Sequence, residues 1–387
     1  MSTGLIWLTP DARTHVLPAH WRTALAGHRE GRWTWRLLDR HDQHLGDIDG
    51  VTGGQLEQNI HADVRGSGRL SWVGRLDDMP DWTRTRVQPV YTATLPDGTE
   101  VSWPWGIYLP AAPRIIHHRS HVEAEVDLWD KTLLLVRAGY EDDVTYPAGT
   151  NPLAAAYDQT HGALNPLGAS GRDDYPAWEP VAGHTLRSSM MWDLEDDPYV
   201  KRVVDDLLDA AGYVATWADR HGRVTSGPYV PPSGRELSWA FEDGQASIYA
   251  DGWTATHDQH LVPNMLTLIS RGDADEEALR ATALDIDPTS PYSYQSQGGW
   301  VTASTGDVEA TSQAVLQGMA DRALAAAQRR ARTITIDHGP LPLWLADRVS
   351  LTDAAHGINA ASCVVQHMSI TCDGTSLARS TLLEVST

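Results

Sequence analysis

Gly31-Arg-Trp-Thr-Trp-Arg-Leu-Leu-Asp-Arg40, Leu45-Gly-Asp-Ile-Asp-Gly-Val-Thr-Gly-Gly-Gln-Leu-Glu-Gln-Asn-Ile60 and His61-Ala-Asp-Val-Arg-Gly-Ser-Gly-Arg-Leu-Ser-Trp72 carry the reading of the fold. Trp33, Trp35 and Leu37 share one parity, and Leu56, Ile60, Ala62 and Val64 the other. That is the period of two expected of a half-buried sheet. Asp49-Gly50 and Gly53-Gly54 read as turns, where glycine takes φ > 0 at little steric cost. No catalytic residue set interrupts the pattern, so the stretch specifies a scaffold rather than a pocket.

Working outward, Arg86 to Leu95 and Thr99 to Leu109 flank Pro96-Asp97-Gly98 and predict a hairpin. Arg114–Ile116 and His121–Leu128 add two strands, and Asp130 suits the N-cap of a short apolar helix from Lys131 to Val136. Residues 31–137 are therefore expected to form a first barrel-like β-domain that hides its edges by closure. Before it, residues 1–30 read as an irregular arm that could lie on a neighbouring subunit. Residues 138–192, rich in Pro, Gly, Asp and Asn without sustained periodicity, read as a long connecting region.

Past Asp196-Asp197-Pro198, helical spacing of Val200, Val203, Val204, Leu207, Leu208 and Ala211 ends at Gly212. Tyr213–Trp217 and Val224–Tyr229 follow as a hairpin, Trp253 to Leu268 as strands, and Glu276 to Leu284 as a short helix. These make residues 193–309 an α/β middle domain. A longer helix, Glu309 to Arg332, leads into strands at Thr333–Ile336, Leu345–Leu351, Ala361–Thr371 and Leu377–Val385, so that residues 310–387 supply a second barrel-like β-domain. The predicted class is mixed α+β and β-rich, with two barrel-like β-domains flanking a small α/β insert.

Charge is unevenly spread along the 387 residues. Residues 1–135 carry 14 Lys+Arg against 17 Asp+Glu, residues 136–309 carry 10 against 28, and residues 310–387 carry 6 against 6. An acidic centre between near-neutral ends repels a phosphate backbone and excludes non-specific nucleic-acid binding. Lys131 and Lys201 are the two lysines, so the basic residues are almost all Arg, the usage of a high-GC genome. Cys363 and Cys372, nine residues apart along one predicted strand, are expected on opposite faces and unpaired. Two thiols without metal-ligand spacing suit assembly in a reducing cytoplasm. The first ten residues lack the basic and apolar regions of a signal peptide, and no apolar run approaches the ~18 residues of a membrane span.

Candidate sites are few. His117, His118 and His121 invite a metal reading, but in a strand only His117 and His121 share a face, with no carboxylate in view. Asp196-Asp197 and Asp273, Asp275, Glu276 and Glu277 are carboxylate clusters without EF-hand spacing. The 16 Trp include Trp33, Trp35, Trp72, Trp103 and Trp105 in predicted strands, where they fill cores or subunit interfaces. Exposed, they would instead make a platform for sugar rings, the alternative function. No nucleophile, general base or phosphate loop emerges, so catalytic, cofactor-binding and metal residues are all predicted to be none.

The opening strands together with several later landmarks resemble the minor tail proteins of siphophages that infect actinobacteria. The landmarks are Arg86-Val-Gln-Pro-Val-Tyr91, Trp103-Pro-Trp-Gly-Ile-Tyr-Leu-Pro110, Glu125-Val-Asp-Leu-Trp-Asp-Lys131, Val204-Asp-Asp-Leu-Leu-Asp-Ala-Ala-Gly-Tyr213, Gly227-Pro-Tyr-Val-Pro-Pro232, Val262-Pro-Asn264 and Asp287-Pro-Thr-Ser-Pro291. The resemblance runs from Trp33 to Val385 and implies a tail hub, a structural protein and not an enzyme. It implies a homotrimer whose paired β-domains make a pseudo-sixfold ring at the distal tail tip of the virion. The implied partners are the distal tail protein ring, the tape measure protein and tip or receptor-binding proteins. Genomic DNA would pass through without specific binding, and no membrane insertion or cofactor is implied. Assembly would take place in the bacterial host cytoplasm. Longer members carry a C-terminal extension for receptor binding or wall digestion, which has no counterpart before Thr387.

Overall fold

The computed structural model describes residues 6–7, 18–165, 174–244, 247–257, 262–270, 278–329 and 332–385. The alternating segments of the first third form β1 (Ile6–Trp7), β2 (Glu30–Leu38), β3 (His44–Asp47), β4 (Val51–Asn59), β5 (Gly66–Gly74), β6 (Arg86–Thr94), β7 (Glu100–Pro104), β8 (Tyr108–His117) and β9 (Val122–Asp130). Pairing runs β3-β2-β6-β8-β9-β5-β4 in a barrel-like sheet, and the chain passes from β3 to β4, the two ends of that run, through the Asp49-Gly50 turn. Gly50 takes φ +82°, where an added Cβ would lie 2.3 Å from the Val73 carbonyl oxygen. Gly53 and Gly54 lie inside β4 rather than in a turn: the Trp35 ring occupies the space above Gly54, 2.4 Å from where a Cβ would be. Strand β4 ends at Asn59, so Ile60, Ala62 and Val64 belong to the turn before β5 and do not continue its alternation.

The segment before β2 is not wholly an irregular arm. Helix α1 (Ala19–Ala26) buries Leu25 in the barrel core of this same chain, and Arg29 Nη2 donates to the Pro340 carbonyl at 2.6 Å. Residues 1–5 and 8–17 lie outside the described residues. Asp130 is the last residue of β9, not a helix cap. It accepts from the Gly66 and Thr132 amides at 2.6 and 2.8 Å, and burial pushes its carboxyl above the usual range.

The next unit is mainly helical: α2 (Leu133–Arg137), α3 (Pro152–Leu164) and α4 (Val200–Ala210), with the antiparallel pair β10 (Val144–Tyr146)–β11 (Met190–Trp192) and the hairpin β12 (Trp217–Ala218)–β13 (Val224–Thr225). The described residues of the 138–192 segment, 138–165 and 174–192, are thus folded structure rather than a connector. Asn151 caps α3 by accepting from the Leu153 and Ala154 amides, and Leu153, Ala155 and Ala156 pack with Val203, Val204, Leu207 and Leu208 of α4 in a separate core.

The 193–309 segment does not stay together. Strands β14 (Leu237–Phe241) and β15 (Thr254–His257) leave it to join a second barrel-like run with β19 (Arg332–His338), β20 (Arg348–Asp353), β21 (Ile358–Thr371) and β22 (Ala378–Glu384). What remains is a small α/β unit: β16 (Met265–Ser270) between β17 (Arg280–Leu284) and β18 (Thr302–Val308), the short α5 (Tyr294–Gln297), and α6 (Gln313–Arg329) packed on the sheet. The stretch predicted as a helix from Glu276 to Leu284 is a strand from Arg280 on. Its Ala281 and Ala283 face α6 and its register follows β16, while residues 271–277 are outside the described residues.

The second barrel-like run is β14-β20-β21-β22-β19-β15. From the chain between β14 and β15, its two ends, Tyr249 Oη donates to the Thr352 carbonyl and Trp253 Nε1 to Asp353. Strand β21 pairs with β4 from His367↔Asn59 to Thr371↔Gln55, so the two runs are parts of one 15-stranded sheet with a continuous core. Cys363 and Cys372 both lie in that core and are not joined in a disulfide. A bulge between Val365 and His367 inverts the parity of β21, which overturns their expected placement on opposite faces.

Candidate functional site

Helix α4 stands where the helical unit, the first barrel and the α/β unit meet. Its apolar stripe faces the helical core, which turns Asp205, Asp206 and Asp209 outward into two open clefts. One, of about 770 Å³, is bounded by Arg65, Tyr229 and Arg322. There Arg322 Nη2 donates to Asp209 at 3.4 Å while its guanidinium lies 5.3 Å from the Tyr229 ring centre. The other, of about 750 Å³, is bounded by Trp192, Asp196, Arg202 and Glu309, and Trp192 Nε1 donates to Asp206 at 2.8 Å. Carboxylates facing arginines and aromatic rings make a charge-paired junction between units. They do not make a nucleophile–base pair.

Buried ion networks hold the junctions. Lys131 pairs with Asp42 and, at 3.3 Å, with Asp174, while Arg86 Nη1 donates to Asp42 at 2.7 Å. Three elements of the first barrel are thereby tied to the segment following α3. Lys201 pairs with Asp205, whose other oxygen accepts from the Thr216 amide and hydroxyl. Between the helical unit and the second barrel, Arg220 Nη2 donates to the Pro342 carbonyl and stacks over Trp344. Burial nearby pushes the Asp347 carboxyl up to about 7, against the pull of Arg220. None of these long-range partners is spaced in the sequence to suggest a pair; only Lys201–Asp205, four apart on one helix, was there to be seen.

The three histidines are arranged differently from the strand reading. Arg119 and Ser120 form the tip of the β8–β9 hairpin, and the His118 amide donates to the His121 carbonyl at 2.9 Å. His118 and His121 therefore face each other, rings stacked at 4.5 Å, with both Nε2 atoms directed at Glu123 Oε1 at 3.3 and 3.2 Å. His117, paired with Val122, is not in the group. The carboxylate missing from the sequence reading is Glu123.

Asp196 and Asp197 sit in the turn before α4, Asp197 with φ +49°, and Asp196 borders the second cleft. The group from Asp273 to Glu277 lies outside the described residues. Trp35, Trp72, Trp103 and Trp105 are buried in the barrel core, and Trp33 packs edge-on against Tyr91 and Trp105. These rings provide no platform for a sugar.

No family model matches this sequence, and no curated protein matches it. Solved structures do share its fold, which is that of phage and prophage tail proteins. The tail protein from Neisseria meningitidis MC58 is similar with a TM-score of 0.60 at 14% identity, covering 91% of this chain and 96% of its own. The 43 kDa tail protein of prophage MuSo2 from Shewanella oneidensis gives 0.57 at 12% identity, over 91% and 98%. Prophage tail protein gp18 from Listeria monocytogenes EGD-e gives 0.52 at 10%, over 90% and 94%.

Proposed function

We propose that this chain is a structural tail protein of the hub type. Three copies would form a pseudo-sixfold ring at the distal tail tip, continuing the DNA channel and anchoring tip and receptor-binding proteins. The observation that carries the reading is the pair of barrel-like strand runs, one of seven strands and one of six, lying side by side in one sheet through β4 and β21. A chain that presents two similar faces can match a sixfold ring with threefold symmetry, because three chains then offer six faces. The likeness to three phage or prophage tail proteins over nine-tenths of the chain supports the same role.

In this reading residues 31–137 act as one barrel, and residues 310–387 with the two strands taken from the middle act as the other. The helical and α/β units, which carry most of the acidic segment 136–309, would line the lumen, where like charge keeps passing DNA from adhering. Neighbours would be the distal tail ring and the tape measure protein, with assembly in the host cytoplasm and residence in the virion. The buried networks then serve rigidity rather than chemistry.

Native mass spectrometry of the purified chain should give three times the 42.4 kDa protomer. Electron microscopy of particles should place it in a threefold ring at the tail end. A monomer together with a peripheral, separately tethered location would overturn the proposal.

A further inference from the structure

We propose that the β8–β9 hairpin tip is a divalent transition-metal site, for which Zn²⁺ is the fitting ion, held by His118 Nε2, His121 Nε2 and the Glu123 carboxylate. The three ligand atoms lie within 4.8 Å of one another. Two donors on a tetrahedral Zn²⁺ with bonds of about 2.0–2.1 Å stand roughly 3.3 Å apart. The two His–Glu separations are 3.3 and 3.2 Å, the edges such a tetrahedron requires. The remaining edge, between the imidazoles, closes when the stacked rings hinge together toward the ion. Both rings are free to do so at an open tip, with side chains 43% and 38% exposed.

Further contacts prepare the site. Ser120 Oγ lies 3.2 Å from His121 Nδ1. A proton on Nδ1 donated to that hydroxyl leaves the Nε2 lone pair for a metal, the support that ligating histidines commonly have. The nearby Arg114 is paired with Glu125 rather than with Glu123. Two imidazoles and one carboxylate also match the borderline softness of Zn²⁺ better than that of Ca²⁺ or Mg²⁺, which take oxygen sets. Three protein ligands leave a fourth position for water or for a donor side chain of an adjoining protein.

The test is isothermal titration of the full chain with zinc chloride in a non-chelating buffer, beside His121→Ala, Glu123→Gln and His117→Ala variants. One zinc per chain is expected at this tip. Affinity should fall at least about tenfold in His121→Ala and Glu123→Gln and stay unchanged in His117→Ala, whose imidazole is adjacent but outside the set. Equal melting temperatures without zinc would establish that the variants fold. X-ray absorption should show two imidazoles and a carboxylate oxygen on the bound ion. Absence of binding by the wild-type chain, or binding that all three variants retain or lose alike, would overturn the site and leave a hydrogen-bonded turn.

Discussion

His338, at the end of β19, is fully enclosed, its ring 5.1 Å from that of Phe241. With a carbonyl, that of Gly339, 2.7 Å from Nδ1, that nitrogen carries the proton; Nε2 then accepts from the Ser380 hydroxyl at 2.8 Å. This is the neutral ring, and burial holds its pKa down to about 4. In the unfolded chain the ring protonates near 6.5, so as pH falls from about 6.5 to about 4 the unfolded state gains protons that the native state refuses. Stability contributed by His338 is complete above that window and falls through it by about 3 kcal/mol. Asp347, raised to about 7, acts in the opposite sense: its native carboxyl keeps a proton that the unfolded one has released, so its contribution declines as pH rises toward 7. The two slopes overlap, and the comparison must be with a variant. Urea unfolding of the wild type and His338→Asn at pH 7 and pH 4.5 should show the wild type losing more stability on acidification. Equal losses would refute the neutral, buried ring.

At the scale of elements, α4 was legible because its apolar residues recur at helical spacing and Gly212, at φ +78°, ends it. Six of its residues, Val200, Val203, Val204, Leu207, Leu208 and Ala210, are buried in the helical core. Leu207→Ala, at a site with no exposure, should cost about 2–5 kcal/mol in chemical unfolding, and a change below about 1 kcal/mol would mean that the helix does not pack there. Strand Arg280–Leu284 was not legible, because an Ala- and Leu-containing run favours helix until pairing with β16 overrides it. The cysteines show a second kind of failure. Parity counted along β21 is right up to Val365 and reversed beyond it, since one extra residue in the bulge turns every later side chain over. His118 fails in the same way: a strand reading separates it from His121, and the hairpin tip brings them face to face. Local spacing predicts elements well; bulges and tips decide which side chains meet.

The described residues build one 15-stranded sheet with two barrel-like runs, and smaller units are inserted between its strands. The recruitment of β14 and β15 into the second run could not be foreseen, because those strands lie far along the chain from β20 and β19 and pair across the inserted α/β unit. The presence of two β-rich ends was visible in their alternation; their union through β4 and β21 was not, since a pairing between residues some 300 apart leaves no local mark. The ion networks at the junctions have one more consequence. Lys131 and Lys201, the two lysines of the chain, are each only 3% exposed, and both are committed to carboxylates inside the fold. An acylating reagent therefore meets no accessible side-chain amine on the native protein, and peptide mass spectra should show Lys131 unmodified until the barrel–helix junction opens and Lys201 unmodified until the helical unit itself loosens around α4. Their acylation then becomes a clock for those openings, wound by the folding of the chain itself.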